Sequence, residues 1–381
     1  MRKLIAAIAG TFALTIVAAQ SSTIADRYHR AGEVNAACFF RAPDRTTYVS
    51  TGDIDAMWLR DSSVQAMSLM GDPSLVRGVI LRQERMVRSD PYANAFREDY
   101  MVAERKFEID SLCYPVKLAE RYVDQTGDSS IYDESYHAML VRIVRTLSIE
   151  QRHADASAYH RNEHPSAKDT GLIWSAYRPS DDPVAYNFNV PENAFAAVTL
   201  RDMSRTFATV YHDDENANIS LLMAQRVESA IARLAVLPTG YGRMYAYEID
   251  GLGHAKFMDD ANMPSLLSMP LTGFVYDTQA YKHTRAFVLS PGNPYYYHGR
   301  YAEGVGSPHT PANFVWPMSL VVQYRTASSE PERGKIVREL VDSDAGDGAL
   351  HESFDVNDPR RYTRERFGWV NALFEQTFAN R

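Results

Sequence analysis

The stretch 135–153, "SYHAMLVRIVRTLSIEQRH", sets Met139, Ile143 and Leu147 at four-residue steps, with Leu140 and Val144 beside them. That spacing lays an apolar stripe along one side of a helix and leaves the other side polar. Comparable patterns run through 74–89, 110–127, 216–237, 312–327 and 364–380. The best alternating run, "GRMYAYEIDG" at 242–251, is short. The chain is therefore expected to be mainly α. No linker or shift in composition divides it, so residues 20–381 read as one domain. Roughly a dozen helices of about 12 residues, joined by alternately short and long loops, account for that length. The count suits a toroid of paired helices with the long loops on one face.

The N-terminus, "MRKLIAAIAGTFALTIVAAQSS", has a charged start, an apolar run from Leu4 to Ala19 and a small, polar exit. This is the pattern of a secretory signal spanning 1–19, and the run is short of the ~20 residues a spanning helix needs. Export to the periplasm or beyond is expected, with no stable membrane insertion after cleavage. A net charge of −8 without a Lys/Arg cluster argues against a nucleic-acid partner. Cys38 and Cys113 are the two cysteines; they stand either as a disulfide or as buried thiols. No zinc-type cluster or HExxH pair occurs, and "MDDANMPS" (258–265) lacks EF-hand spacing, so neither metal nor cofactor is expected.

Several long loops combine acidic residues, arginines and aromatics, where a plain bundle needs only polar loops. In "TGDIDAMWLRDSS" (51–63) three aspartates and Arg60 surround Trp58. Carboxylates and guanidinium groups hold sugar hydroxyls, and aromatic faces take the C–H side of a sugar ring. Glycosidic cleavage needs two carboxyls in different states, one protonated and one ionised. "WSAYRPSDD" offers Asp181 and Asp182, neighbours whose repulsion raises one of them, although such a run is also a common cap or turn. "LHESFDVNDP" offers Glu352 in a polar loop, equally readable as a surface residue. "RKFEIDSLCYP" offers Glu108 and Asp110 ahead of a helix, and "GSPHTP" offers His309.

Taken together, "TGDIDAMWLRDSSVQ", "EIDSLCYP", "WSAYRPSDD", "VPENAFA", "MDDANMPSLLS", "GSPHTP", "VWPMSL" and "HESFDVNDP" resemble glycoside hydrolase family 125 in content and order, from about Cys38 to Phe378. The resemblance implies an (α/α)6 barrel with a pocket at one end, and inverting, metal-free removal of terminal α-1,6-linked mannose from a glycan. It puts the general acid on Asp181 or Asp182, Asp182 narrowly preferred, and the general base on Glu352. Asp53, Arg60, Asp61, Asp110, Arg178 and His309 are then expected around the sugar's hydroxyls, with Trp58 or Trp174 as an apolar wall. Arg366 stands where the family more often shows Trp, which bears on the outer rim. A barrel glycosidase of another linkage, and a silent glycan-binding protein, are the alternatives.

Overall fold

The computed structural model describes residues 24–153, 157–160 and 164–379. The segment read as a secretory signal lies outside them. Eleven α-helices occur among the described residues: α1 (24–36), α2 (Leu59–Met67), α3 (Pro73–Ser89), α4 (Ile109–Thr126), α5 (Glu134–Glu150), α6 (Val190–Thr206), α7 (Asp214–Ala230), α8 (Thr278–Val288), α9 (Pro317–Thr326), α10 (Glu330–Asp342) and α11 (Gly368–Phe378). No described helix is long and apolar enough to cross a membrane.

Alternate helices close a ring. α2 packs on α4, α4 on α6, α6 on the short 3-10 turn Met269–Leu271, that turn on α9, α9 on α11, and α11 back on α2. The turn occupies the sixth inner position, so "MDDANMPSLLSMP" replaces a full helix. Asp259 holds it there by accepting the Leu266 and Leu267 amides at 2.8 and 2.9 Å. The remaining helices form the outer layer, α3 against α2, α4 and α5, α7 against α6, and α10 against α9.

Burial explains the two layers. Eight of nine residues of α2 and nine of eleven of α11 are buried, against six of seventeen in α7 and four of thirteen in α10. An inner helix is enclosed all round, whereas an outer one needs only a stripe. Cys38 and Cys113 are both buried free thiols. Where α3 crosses the strand Thr47–Val49, Gly78 has no room for a side chain: a Cβ would strike the Thr47 hydroxyl and lie 2.9 Å from its amide nitrogen. Alanine's helix propensity advantage of about 1 kcal/mol is smaller than overpacking costs of ~1–3 kcal/mol. Gly78→Ala is therefore expected to lower stability, read as a reduced urea midpoint at unchanged slope.

The helix ends differ between layers. Asp72, Asp133, Asp213, Asp277 and Ser329 cap outer helices with their side chains. Trp58, Glu108, Trp316 and Phe367 precede inner helices without capping them; only Asn189, before α6, does so. Short antiparallel pairings seat these ends. Met57–Trp58 pairs with Ala95–Phe96, Phe188–Asn189 with Glu248–Ile249, and Phe314–Val315 with Ser353–Asp355. The positive N-terminal ends of the inner helices thus meet at one end of the barrel.

Candidate active site

A cavity of about 220 Å³ lies at that end, lined by Trp58, Arg60, Asp61, Asp181, His309, Trp316, Glu352, Arg364, Phe367 and Trp369 among others. It is smaller than the ~300–1,000 Å³ of drug-sized ligand pockets, so it suits one small ring. A larger cleft of about 730 Å³ lies on the outer wall beside α5 and α7; Asp169 is the one carboxylate lining it among the described residues.

Arg60, in the first turn of α2, is the hub. Its Nη1 donates to Glu108 Oε2 at 2.8 Å and Asp110 Oδ2 at 3.4 Å, and its Nη2 to Asp181 Oδ1 at 3.4 Å. Its Nε lies 3.5 Å from Asp61 Oδ2, and its guanidinium carbon 4.8 Å from the Trp369 ring centroid. Behind this group, the Glu192 carboxylate accepts the Ile109 amide at 3.1 Å, so α6 caps α4. One buried cation cannot balance this many carboxylates, and the charged forms suffer. Burial pushes Asp61 up to about 6 and raises Asp110, Glu108 and Glu192, the last two well above the carboxylate range. Asp181 goes the other way. Burial raises it, but Arg60, a hydrogen bond from Glu108, Lys106 and His309 outweigh that and hold it below its ordinary value.

Asp181 owes its aim to the backbone. It sits at φ +63 in a turn closed by Asp181 N to Arg178 O and Arg178 N to Asp182 O, both 2.9 Å. Aspartate tolerates the left-handed region better than most residues, and such strain clusters at working sites. The turn sends neighbouring side chains different ways. Asp181 lines the cavity, while Asp182 accepts from Ser180 Oγ at 3.3 Å and meets His309 Nδ1 at 3.2 Å. The Asp182 contact raises His309, favouring its cationic form.

Glu352 enters from another wall, immediately before the strand Ser353–Asp355, and its amide donates to Thr363 O at 3.2 Å. Burial raises it; the Thr363 hydroxyl, Arg364 and His309 pull partly the other way. Arg364 Nη1 is 3.9 Å from Glu352 Oε1, and Arg364 is itself held by Asp53 Oδ1 at 2.5 Å and Thr51 Oγ1 at 3.1 Å. Gly52 beside them has φ +116, and a Cβ there would run into the Arg366 carbonyl. Trp58 Nε1, Trp369 Nε1 and Asp61 Oδ2 are buried without hydrogen-bond partners. Leaving such groups unpaired costs about 1–3 kcal/mol each, so a cavity that keeps them suits a ligand rich in hydroxyls.

Of the residues expected from sequence, the structure brings Trp58, Arg60, Asp61, Asp181, His309 and Glu352 to the cavity wall. Five are placed elsewhere, among them Asp182, the preferred acid, which does not line the cavity because the left-handed turn at Asp181 sends it to Ser180 and His309. Asp53 braces Arg364, and Asp110 is fully buried behind Arg60. Arg178 donates to Pro183 O at 2.8 Å and lies 3.7 Å from Glu248, so it braces the turn. Trp174 is core, stacked on His153 at 3.6 Å between centroids and near Phe107 at 6.3 Å. Trp174→Ala should accordingly cost about 3–5 kcal/mol of stability, seen in urea unfolding, while leaving substrate affinity in the folded fraction unchanged. Arg366 is exposed and does not line the cavity. Sequence reasoning passed over Arg364, Phe367, Trp316, Lys106 and Glu104. Arg364 and Phe367 stand in the charged and aromatic "TRERFGW", the one signal available for them.

Residues 6–379 match the family model described as metal-independent alpha-mannosidase (GH125). A Streptococcus pneumoniae alpha-mannosidase, solved as a non-productive complex with alpha-1,6-mannobiose, is 34% identical, with a TM-score of 0.88 over 96% of each chain. The meiotically up-regulated gene 157 protein of Schizosaccharomyces pombe is 34% identical across 87% of this chain and 75% of its own length. A bacterial glucoamylase complexed with acarbose superposes at TM-score 0.63 with 12% identity, over 93% of this chain and 55% of that one, a likeness of fold alone. The closed inner ring, the outer layer and the carboxylate-lined end are those of an (α/α)6 barrel glycoside hydrolase, and the chain belongs to the metal-independent alpha-mannosidases of family 125.

Proposed function

We propose that this alpha-mannosidase acts at chain ends on α-1,6-linked mannosides and inverts the anomeric centre, with Asp181 as proton donor and Glu352 as base. The carrying observation is that two carboxyls from separate loops line one cavity sized for a single ring. The 34% identical relative complexed with alpha-1,6-mannobiose supports the linkage. Asp181, rather than Asp182, is chosen because it faces the cavity. Trp58, Asp61 and Trp369 offer their unpartnered atoms to hydroxyls, and Arg60 lies over the Trp369 ring at the cavity floor. Asp181 protonates the glycosidic oxygen as the C1–O bond breaks. Water attacks C1 from the far face and gives its proton to Glu352.

Proton NMR of α-1,6-mannobiose hydrolysis tests this reading. β-Mannose is expected first, and α-mannose first would sink the inverting mechanism. The pH dependence follows from the shift on Glu352. A base must be ionised, and burial raises this one, so kcat/KM is expected to fall with acid at a pH above that of an ordinary glutamate. An acid limb at or below the ordinary value would remove Glu352 from the role.

A further inference from the structure

We infer that Glu108 is the positioning residue that stores and returns the proton Asp181 delivers, a role that rests on Asp181 being the acid. Glu108 is wholly buried, is absent from the cavity wall, and shares a side-chain hydrogen bond with Asp181, which lines it. The two are clamped by one guanidinium, Nη1 on Glu108 and Nη2 on Asp181. Glu108 Oε2 takes both available donors, Arg60 and Ser111 Oγ at 3.0 Å, while Oε1 is buried with no donor on it. An oxygen so placed has room for a proton, as do Asp61 Oδ2, Asp110 Oδ1 and Glu192 Oε2 around it.

Charge counting agrees. Arg60 and Asp61 on α2, Asp110 on α4, Glu192 on α6, and Asp181 with Lys106 on the loops surround Glu108. These five carboxyls, Glu108 included, cannot all ionise beside Arg60 and Lys106. The direction on each partner fits a shared proton resting on Glu108, which is raised while Asp181 is lowered. This explains how a carboxyl held ionised by Arg60 can act as an acid. Asp181 first takes the Oε1 proton of Glu108 and passes it to the glycosidic oxygen as the C1–O bond breaks, leaving both carboxyls ionised. Glu352 gains the proton of the attacking water. Release of that proton to solvent and uptake of one by Glu108 restore the enzyme.

The test compares α-1,6-mannobiose, whose leaving group needs a proton, with α-mannosyl fluoride, whose leaving group does not. Glu108→Gln keeps the size and a hydrogen bond but holds no transferable proton. Its kcat on the mannobioside is expected to drop about 10²-fold with KM held, and the alkaline limb should move to lower pH. Fluoride hydrolysis and Tm should change little. Equal loss on both substrates, or an unmoved limb, overturns the inference. Asp181→Asn and Asp182→Asn run alongside. If Asp182→Asn alone shows the leaving-group pattern, Asp181 is not the acid and the inference falls with it. If Asp181→Asn shows the pattern and Glu108→Gln does not, the inference alone fails. Should Glu108→Gln not fold, Ser111→Ala removes one donor from Oε2 and should move the alkaline limb to higher pH; no movement overturns the proposal.

Discussion

Glu352→Gln is expected to reduce kcat on α-1,6-mannobiose by about 10²–10⁴-fold, the usual loss for a positioned base, with KM nearly unchanged. Stability moves the other way. Burial raises Glu352 above its ordinary value, so its ionised form is less favourable folded than unfolded. Such a group favours the folded state below its unfolded pKa, and that advantage is lost as pH rises through the folded value. A neutral isostere removes the loss, so thermal unfolding at neutral pH should show an equal or higher Tm, with the gain gone in acid. Retained hydrolysis at neutral pH would sink the assignment. A collapsed Tm would show that Glu352 holds the loop together rather than activating water.

Arg60→Leu should destabilise the fold strongly, with a pH signature that a packing loss lacks. The variant leaves Asp61, Glu108, Asp110 and Asp181 around an apolar side chain, and removing one partner from a buried ionic group costs about 3–5 kcal/mol. The loss depends on pH in a defined direction. Asp61, Glu108 and Asp110 are already raised in the folded state, and losing Arg60 takes away the attraction that restrains each of them. Destabilisation should therefore be greatest at neutral to alkaline pH and shrink towards pH 4, as these carboxyls protonate. Urea unfolding of both proteins across pH measures it, and a penalty independent of pH would mean that Arg60 matters for packing over Trp369 rather than for charge.

Outer helices were legible in part because one-sided burial leaves a periodic stripe, as in 135–153. Inner helices α4, α9 and α11 also fall in segments read from periodicity, but α2 and α6 do not. α2, "LRDSSVQAM", is polar in composition yet buried almost throughout. Its serines and Gln65 answer the backbone and Gln83 in place of water, as in Ser63 Oγ to Leu59 O at 2.7 Å and Gln83 Nε2 to Ser62 Oγ at 2.9 Å. No hydropathy pattern reports a helix whose polar groups are satisfied inside. The sixth inner position is likewise invisible, since a proline-bearing turn fills it in place of a helix.

Periodicity and composition established the helical class and the inventory of chemistry: paired carboxyls, guanidinium groups and indoles in long loops. The sequence by itself also singled out "TGDIDAMWLRDSS", and Trp58, Arg60 and Asp61 do reach the cavity. What it left open was direction. Trp58 and Trp174 stand in equally polar motifs, yet one faces the cavity and the other stacks in the core. Asp181 and Asp182 are adjacent, and a left-handed residue turns one inward and the other to His309. Composition and spacing specify which groups a chain carries. Where each points depends on backbone dihedrals and on partners far away in sequence, and those exist only once the ring of inner helices has closed.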